Sequence, residues 1–224
     1  GMIYRGHKPV HWCKHCHTAL AEAEIEYSDE TSPSIFVRFE MTSKPAGLED
    51  FDGPVDFIIW TTTPWTIPSD QAVSLKPGAA YVAVEHDGRA EVMLEDLAPK
   101  CCEEFGWEYT PVMVDGKPYV VPAETFHHIR YKQPIFDGVE GVALLADYVG
   151  VDDGTGIVHN SPGHGVDDYF ACLKEGITDI CMPVDDDGKF YTGEEFGTGG
   201  PFSGMDTDEA NPHIIEFLRE RGTL

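Results

Sequence analysis

Residues 54–68 read PVDFIIWTTTPWTIP and carry a strong signal for both the fold and a binding site. Residues 54–61 contain a continuous apolar run, which is typical of a buried strand. Pro64 predicts the end of that strand because proline has no backbone N–H to continue a ladder. Three threonine hydroxyls therefore follow directly on a strand end, where they can bind a small polar ligand together with backbone amides. An ordinary threonine-rich strand end with a proline turn is the alternative.

Other segments predict a mixed, mainly β chain. Alternating apolar residues predict strands at 22–28 and 34–41, and residues 79–86 and 89–95 flank Asp87-Gly88, a strong hairpin signal. Further strands are predicted at 107–114, 154–159 and 178–184, turns at Asp115-Gly116 and Asp187-Gly188, and helices at 95–105, 166–175 and from Asp206 or Thr207 to about Arg221. The glycine-rich residues 193–204 are predicted to form a flexible surface loop. Many strands and few helices favour a barrel-like β core with peripheral α-helices.

The composition is that of a folded chain with an acidic surface. The 224 residues suit one domain, and 42% hydrophobic and 11% aromatic residues allow a sizeable core. The net charge of −25, from 40 acidic and 15 basic residues, repels phosphate backbones and counts against a free-standing nucleic-acid binder. We find no apolar run of membrane-spanning length and no signal peptide.

The start of the chain and its cysteines carry two further expectations. Gly1-Met2 resembles a protease-cleavage scar and the next residues read as mid-protein sequence, so we expect an excised fragment. Six cysteines in a chain of this length do not make a disulfide framework, and they fit a reducing cytoplasm. Cys172 is expected on a helix and Cys181 in a strand, both as small core residues.

A second polar stretch is GTGIVHNSPGHGVDDY at residues 154–169. It predicts a strand, a glycine-rich loop and a helix start, with two histidines and two aspartates within ten residues. Three interpretations are open. Asp167 or Asp168 caps the helix; His159, His164 and an aspartate bind a metal; or a carboxylate binds a substrate ammonium while a histidine lines the pocket. Pro162 excludes the i,i+4 histidine pair of a helical zinc protease.

The third motif is Cys13-Lys14-His15-Cys16. A C-x-x-C pair is half of a zinc site or a redox pair. The sequence holds no second C-x-x-C, so a complete site needs His11, His15 or His17, or cysteines outside this chain.

These motifs together resemble the inserted editing domain, connective peptide 1, of the class I synthetases for isoleucine, valine and leucine. WTTTPWTIP at 60–68 is similar to the threonine-rich motif of that family, and residues 154–169 to its second active-site motif. KPVHWCKHCHTALAEAEIEY, MPVDDDGKF and ANPHIIEFL also fit, so the resemblance covers nearly the whole chain. Thr63, Trp65 and His159 match the isoleucine type. Asp70 stands where that type more often has Asn, and Ser161 where Ala is usual.

The resemblance implies a role for each matching residue. Asp168 holds the ammonium of the misattached amino acid, and His159 narrows the pocket so that valine enters and isoleucine clashes. Thr61, Thr62 and Thr63 with Trp60 hold the terminal adenosine and the ester. We expect Asp168, Thr62 and Thr63 to be catalytic, and Trp60, Thr61, His159, His164 and Asp70 to bind substrate.

The implied function is hydrolysis of valine wrongly attached to tRNA(Ile). One methylene yields only about 1–3 kcal/mol in a hydrophobic pocket, a range established with this same enzyme family, so a second sieve is needed. The expected partners are the aminoacylated 3′ end of tRNA(Ile) and the rest of the synthetase, with no membrane. No cofactor is expected for editing, and Cys13 and Cys16 are a candidate zinc half-site in the full-length enzyme.

Residues 1–224 are expected to form one editing domain, with 1–20 and 205–224 near its junctions, as a cytoplasmic monomer. Two other functions remain open. One is a metal-dependent hydrolase that uses His159, His164 and Asp168. The other is a non-catalytic tRNA-docking module, which the acidic charge disfavours because such a module carries a basic face.

Overall fold

The computed structural model describes residue 3, residues 6–29 and residues 31–224. Gly1-Met2, where a cleavage scar is expected, lies outside the described residues, as do Tyr4 and Arg5. The strands are β1 Trp12–Cys13, β2 Thr18–Ala19, β3 Ile35–Glu40, β4 Val55–Thr61, β5 Ala72–Leu75, β6 Ala80–His86, β7 Arg89–Leu94, β8 Met113–Val114, β9 Lys117–Pro118, β10 Val120–Pro122, β11 Arg130–Lys132, β12 Glu140–Leu145 and β13 Ile157–Asn160. The helices are α1 Ala98–Phe105, α2 Val166–Lys174 and α3 Thr207–Glu220.

Two sheets form the body of the described chain. The larger has the order β10-β6-β7-β4-β3 and the smaller the order β11-β12-β5-β13. Only β4–β7 and β12–β5 run parallel, whereas the other ladders are antiparallel. β13 lies beside β4, and a bridge between Met41 and Tyr131 joins the sheets at the other side. The fold is therefore mainly β with peripheral helices, as predicted, and the two sheets wrap one core without closing into a single ring in the described residues.

An aromatic cluster fills the core between the sheets. Tyr131 of β11 stacks on Phe39 of β3, with ring centroids 5.1 Å apart, and meets the edge of Phe57 of β4 at 6.2 Å. Phe126 contacts both Phe57 and Tyr81. All five rings are fully buried. Burying such side chains contributes roughly 1.5–3 kcal/mol each, so this cluster fixes how the two sheets meet.

The apolar run within residues 54–61 is a strand buried on both faces. β4 lies between β3 and β7, and Val55 to Ile59 are all buried, which explains a continuous rather than alternating pattern. A 3-10 helix at Pro64–Ser69 follows and turns the chain into β5. The hairpin at Asp87-Gly88 is also confirmed, since both residues have the positive φ of a type I′ turn, 48° and 74°.

Two predicted strands are wrong. Residues 22–28 form a 3-10 turn at Glu22–Glu24, in which the Glu24 carboxylate accepts the Ala21 N–H at 2.7 Å. Residues 178–184 form no strand because Gln71 bonds to their backbone instead, donating to Asp179 O and accepting from Cys181 N. Cys181 is buried as expected, but in irregular structure. Cys172 lies on α2 and is buried, and all six cysteines are free.

Two other segments differ in part from prediction. Of residues 107–114, only Met113–Val114 form a strand, with an isolated bridge from Pro111 to Val84. The segment 193–204 is not wholly a surface loop, since Phe202 is 2% exposed in the core within the 3-10 turn Gly200–Phe202. The final helix begins as expected, with the Asp206 carboxylate accepting the Asp208 N–H. No helix in the described ranges has the length and apolarity needed to cross a membrane.

Candidate functional site

A cleft of about 970 Å³ lies where β4 and β13 end and α2 begins. Of the eight residues predicted from the sequence, seven line it: Trp60, Thr61, Thr62, Thr63, His159, His164 and Asp168. Asp70 is the exception, because it is 1% exposed and lies behind the cleft wall. The threonine-rich strand end and the loop before α2 are more than 90 residues apart in sequence, and the pairing of β5 with β13 brings them together.

Asp168 is held rigidly in the first turn of α2. Its Oδ2 accepts the Ser161 N–H at 2.9 Å, and its Oδ1 accepts from Asn160 Nδ2 at 3.1 Å and from the Tyr148 hydroxyl at 3.3 Å. The neighbouring Asp167 is exposed and makes none of these contacts. The carboxylate at 168 is therefore fixed at the cleft rather than serving only as a helix cap.

Gly165 makes room for that carboxylate. A Cβ at this position would lie 2.6 Å from Asp168 Oδ2, which is closer than nonbonded atoms approach. Its φ of −108° and ψ of 134° are open to any residue, so the glycine is required by space and not by backbone conformation.

A chain of hydroxyls leads from the strand end to His159. The Thr63 N–H donates to Thr61 Oγ1 at 3.1 Å, and Thr63 Oγ1 lies 3.4 Å from Thr66 Oγ1. Thr66 Oγ1 in turn lies 3.0 Å from His159 Nε2. The side chains of Thr62 and Thr63 are exposed to the cleft, whereas Thr61 and Thr66 are buried beneath them. The threonines thus present exposed hydroxyls to the cleft on one side and contact His159 through Thr66 on the other.

Asp70 lies directly behind His159. Its Oδ1 is 3.4 Å from His159 Nδ1, and its Oδ2 accepts the Tyr131 hydroxyl at 2.5 Å. Burial raises the pKa of the Asp70 carboxyl, opposed by His159 and Tyr131, which favour its charged form. At this position the carboxylate contacts the imidazole and not the cleft.

His164 and Trp65 also line the cleft. Their rings meet edge to face, with centroids 4.8 Å apart. Burial lowers the pKa of His164 to about 4, so the ring is neutral at physiological pH. Trp60 donates its indole N–H to Ser34 Oγ at 2.8 Å, which fixes the indole at the rim.

Sequence reasoning missed four residues that shape the site: Thr66, Tyr148, Asn160 and Gly165. Thr66, Asn160 and Gly165 fall within the quoted motifs, so their polarity or lack of a side chain was a usable signal. Tyr148 stands outside any motif and reaches Asp168 only because the loop after β12 folds over α2. Burial and Asp168 raise its pKa above the ordinary range, so it stays a hydroxyl donor.

The cysteine pair sits on a separate hairpin at the edge of the cleft. The Cys16 N–H points at Cys13 Sγ, 3.4 Å away, and this hydrogen bond lowers the pKa of the Cys13 thiol. In the described ranges neither this pair nor His159, His164 and Asp168 forms a three-ligand cluster of His, Cys, Asp or Glu. Two thiols on such a hairpin match half of a tetrahedral zinc site.

Comparison with known proteins decides the family. Residues 1–189 match the model for tRNA synthetases class I (I, L, M and V). Isoleucine–tRNA ligases from Desulfovibrio desulfuricans and Nitratidesulfovibrio vulgaris are 41% and 43% identical over the whole of this chain. The chain belongs to the class I tRNA synthetases. It spans 23% of the length of each of these two relatives.

Solved structures show which part of a class I synthetase has this fold. The structure of GlLeuRS-CP1 matches 85% of this chain and 97% of its own with a TM-score of 0.64 at 14% identity. The editing domain of the P. falciparum cytosolic leucyl-tRNA synthetase matches 86% of this chain and 99% of its own with a TM-score of 0.60 at 13% identity. The chain therefore has the fold of these synthetase segments, as the resemblance implied.

Proposed function

We propose that this cleft hydrolyses the ester that joins valine to a mischarged tRNA(Ile). The observation that carries the proposal is the fixed Asp168 carboxylate, which lies in one cleft with exposed threonine hydroxyls and the buried wall residue His159. The similarity to isoleucine–tRNA ligases supports the choice of tRNA.

Asp168 binds the α-ammonium of the misattached amino acid. A carboxylate offers about four acceptor sites, and three protein donors use this one. One site remains for the ammonium, and the three donors prevent the carboxylate from rotating away. A charge-assisted hydrogen bond of this kind contributes about 1.5–3 kcal/mol.

His159 excludes the correct amino acid. The imidazole is 7% exposed, its Nε2 lies 3.0 Å from Thr66 Oγ1 and its Nδ1 lies 3.4 Å from Asp70 Oδ1, so little space is left for it to move aside for one additional methylene. We infer that Asp70 acts as a positioning residue through His159, rather than by touching the substrate.

The chemistry asks little of the protein because an aminoacyl ester is already activated. A water attacks the carbonyl carbon, the bond to the ribose oxygen breaks, valine leaves as the free acid, and the ribose oxygen takes up a proton. The exposed hydroxyls of Thr62 and Thr63 orient the ester and stabilise the oxyanion, while Trp60 holds the terminal adenosine. Thr61 is buried beneath them and positions Thr63 by accepting its N–H, rather than holding the adenosine as the resemblance implied. A vicinal ribose hydroxyl of the tRNA helps to activate the water, and no metal is needed for these steps.

The test is Asp168→Ala with Asp167→Ala as its matched control. We expect the Asp168 variant to lose roughly 10- to 150-fold or more in valyl-tRNA(Ile) hydrolysis, because about 1.5–3 kcal/mol of contact is removed. Asp167→Ala should hydrolyse normally, since that side chain is exposed. Circular dichroism checks that both remain folded. Near-normal hydrolysis by Asp168→Ala removes this residue from the mechanism.

The wider assignment rests on the same proposal. Residues 1–224 act as one monomeric editing domain of a cytoplasmic synthetase, joined to it near 1–20 and 205–224, and the rest of the enzyme delivers the tRNA. Cys13 and Cys16 would give two thiolates to a zinc site completed from outside this chain. Ester hydrolysis that persists after chelation counts against a metal-dependent hydrolase, and hydrolysis itself counts against a docking module.

A further inference from the structure

A second polar cluster lies at the far end of the helix that carries Asp168. His127 and His128 follow the 3-10 turn Ala123–Phe126 just before β11, and Glu175 ends α2. One ligand atom from each of the three residues lies within 4.8 Å of the others. Neither the proposed hydrolysis nor the family motifs quoted above use these residues.

The distances in this cluster match those between ligands of one metal ion. Glu175 Oε2 lies 3.1 Å from His128 Nε2 and 3.5 Å from His127 Nε2. Two ligand atoms about 2.0–2.1 Å from a tetrahedral zinc lie roughly 3.3 Å apart. Two imidazoles and one carboxylate also form a ligand set that zinc uses, with one position left for water.

The local backbone holds this arrangement at a cost. His128 has a φ of 67°, a left-handed conformation uncommon for residues other than glycine, which places its ring on that of His127 with centroids 3.8 Å apart. Two stacked imidazoles repel if both are protonated, whereas a metal binds both in the neutral form. His127 Nε2 is buried and has no hydrogen-bond partner among the described residues.

We propose that His127, His128 and Glu175 bind one divalent transition metal of the zinc type. His128 is 64% exposed, so the ion can enter from solvent and keep a water ligand. The bound metal ties the segment before β11 to the end of α2, whose first turn carries Asp168. The metal site would be structural, at the end of α2 opposite Asp168. This proposal does not depend on whether the cleft hydrolyses valyl-tRNA.

The experiment is a zinc chloride titration by calorimetry of the 224-residue chain carrying Cys13→Ser and Cys16→Ser. These two changes remove the thiols that would otherwise compete. His128→Asn deletes the imidazole but keeps a residue that tolerates a positive φ, and Glu175→Gln deletes the carboxylate with little change of shape. His213→Asn is the matched control, since His213 is exposed on α3 and outside the cluster.

We expect the parent to bind one zinc that raises its Tm, and His213→Asn to behave alike. His128→Asn and Glu175→Gln should each bind one metal fewer, or bind that metal at least about 10-fold more weakly. Even the loss of a residue that only hydrogen-bonds to a metal ligand lowers metal affinity about 10–100-fold. Binding by the parent should also fall as the pH is lowered, because the imidazoles must be neutral. A parent that binds no zinc, or variants whose stoichiometry, affinity and Tm shift equal those of the parent, would overturn the proposal.

Discussion

Replacing His159 with alanine tests the sieve directly. The imidazole is 7% exposed and forms a wall of the cleft, so its loss opens more space than the one methylene by which isoleucine exceeds valine. Burying that methylene then contributes about 0.8 kcal/mol to binding of the isoleucyl group, or about 1–3 kcal/mol where the pocket fits closely. The clash is removed as well, so hydrolysis of isoleucyl-tRNA should rise relative to that of valyl-tRNA by roughly 10-fold or more.

The structure also shows how the rest of the site responds to this change. Thr66 Oγ1 loses its contact with His159 but still donates a hydrogen bond to Thr63 O at 2.9 Å, so the Thr66 hydroxyl keeps a partner. Asp70 loses a favourable neighbour within a buried site, and some stability is lost with it. The useful quantity is therefore the ratio of the two hydrolysis rates, because the fraction of folded enzyme cancels in it.

The assay measures deacylation of valyl-tRNA(Ile) and isoleucyl-tRNA(Ile) by the intact synthetase. His164→Ala serves as the comparison, because His164 also lines the cleft, beside Trp65. If His159→Ala still spares isoleucyl-tRNA while His164→Ala does not, the wall has been assigned to the wrong histidine.

Three other results are expected. Gly165→Ala should reduce ester hydrolysis about as much as loss of Asp168, without unfolding the chain. The added Cβ would lie 2.6 Å from Asp168 Oδ2 and so displace the carboxylate, and unchanged rates would contradict this. Burial raises the pKa of Glu91 from 4.5 to about 7, despite its 2.7 Å ion pair with Arg38. The folded chain therefore binds this proton more tightly than the unfolded chain, and the resulting stability is present below pH 4.5 and lost as the pH rises through 7. Urea unfolding of Glu91→Gln should thus gain up to about 3 kcal/mol on the parent between pH 4 and pH 8, and parallel pH profiles would refute the linkage. The chain itself, with 15 basic and 40 acidic residues, should bind tRNA weakly and more weakly still at low salt, and tight binding that declines steeply with salt would reveal a basic patch.

Local sequence signals identified the elements whose patterns depend on neighbours in the chain. The buried run of β4, the Asp87-Gly88 hairpin and the cap at Asp206 each carry their own cause within a few residues. The two motifs also lie in one cleft, as the resemblance implied. Periodicity alone could not show that, since their contact depends on β5 pairing with β13.

The errors have more than one physical reason, since a local side-chain bond, a short strand and tertiary packing each account for one of them. EAEIEYS alternates like a strand but has no neighbouring strand, and the Glu24 side chain caps its own turn. β5 was not predicted because its four residues are too few to show a period, and its buried Ser74 is polar. Asp70 was expected at the substrate because its motif is there, yet the chain turns it beneath His159. Such side-chain directions are set by packing and cannot be read from spacing.

The ion pair between Lys14 and Asp206 has a further consequence. It joins two positions 192 residues apart at 2.9 Å, and Trp12 reaches Asp186 in the same region. When two positions that are distant in sequence lie close together in a folded segment, a longer polypeptide that contains the segment can enter and leave it at nearby points. The distance between those points is then no larger than that between the ends of a short loop. The conformational entropy that the longer chain loses when those two points are brought together is then small. It grows only slowly with the number of residues between them. A segment of this shape can be added to a surface turn of another fold without pulling that fold apart.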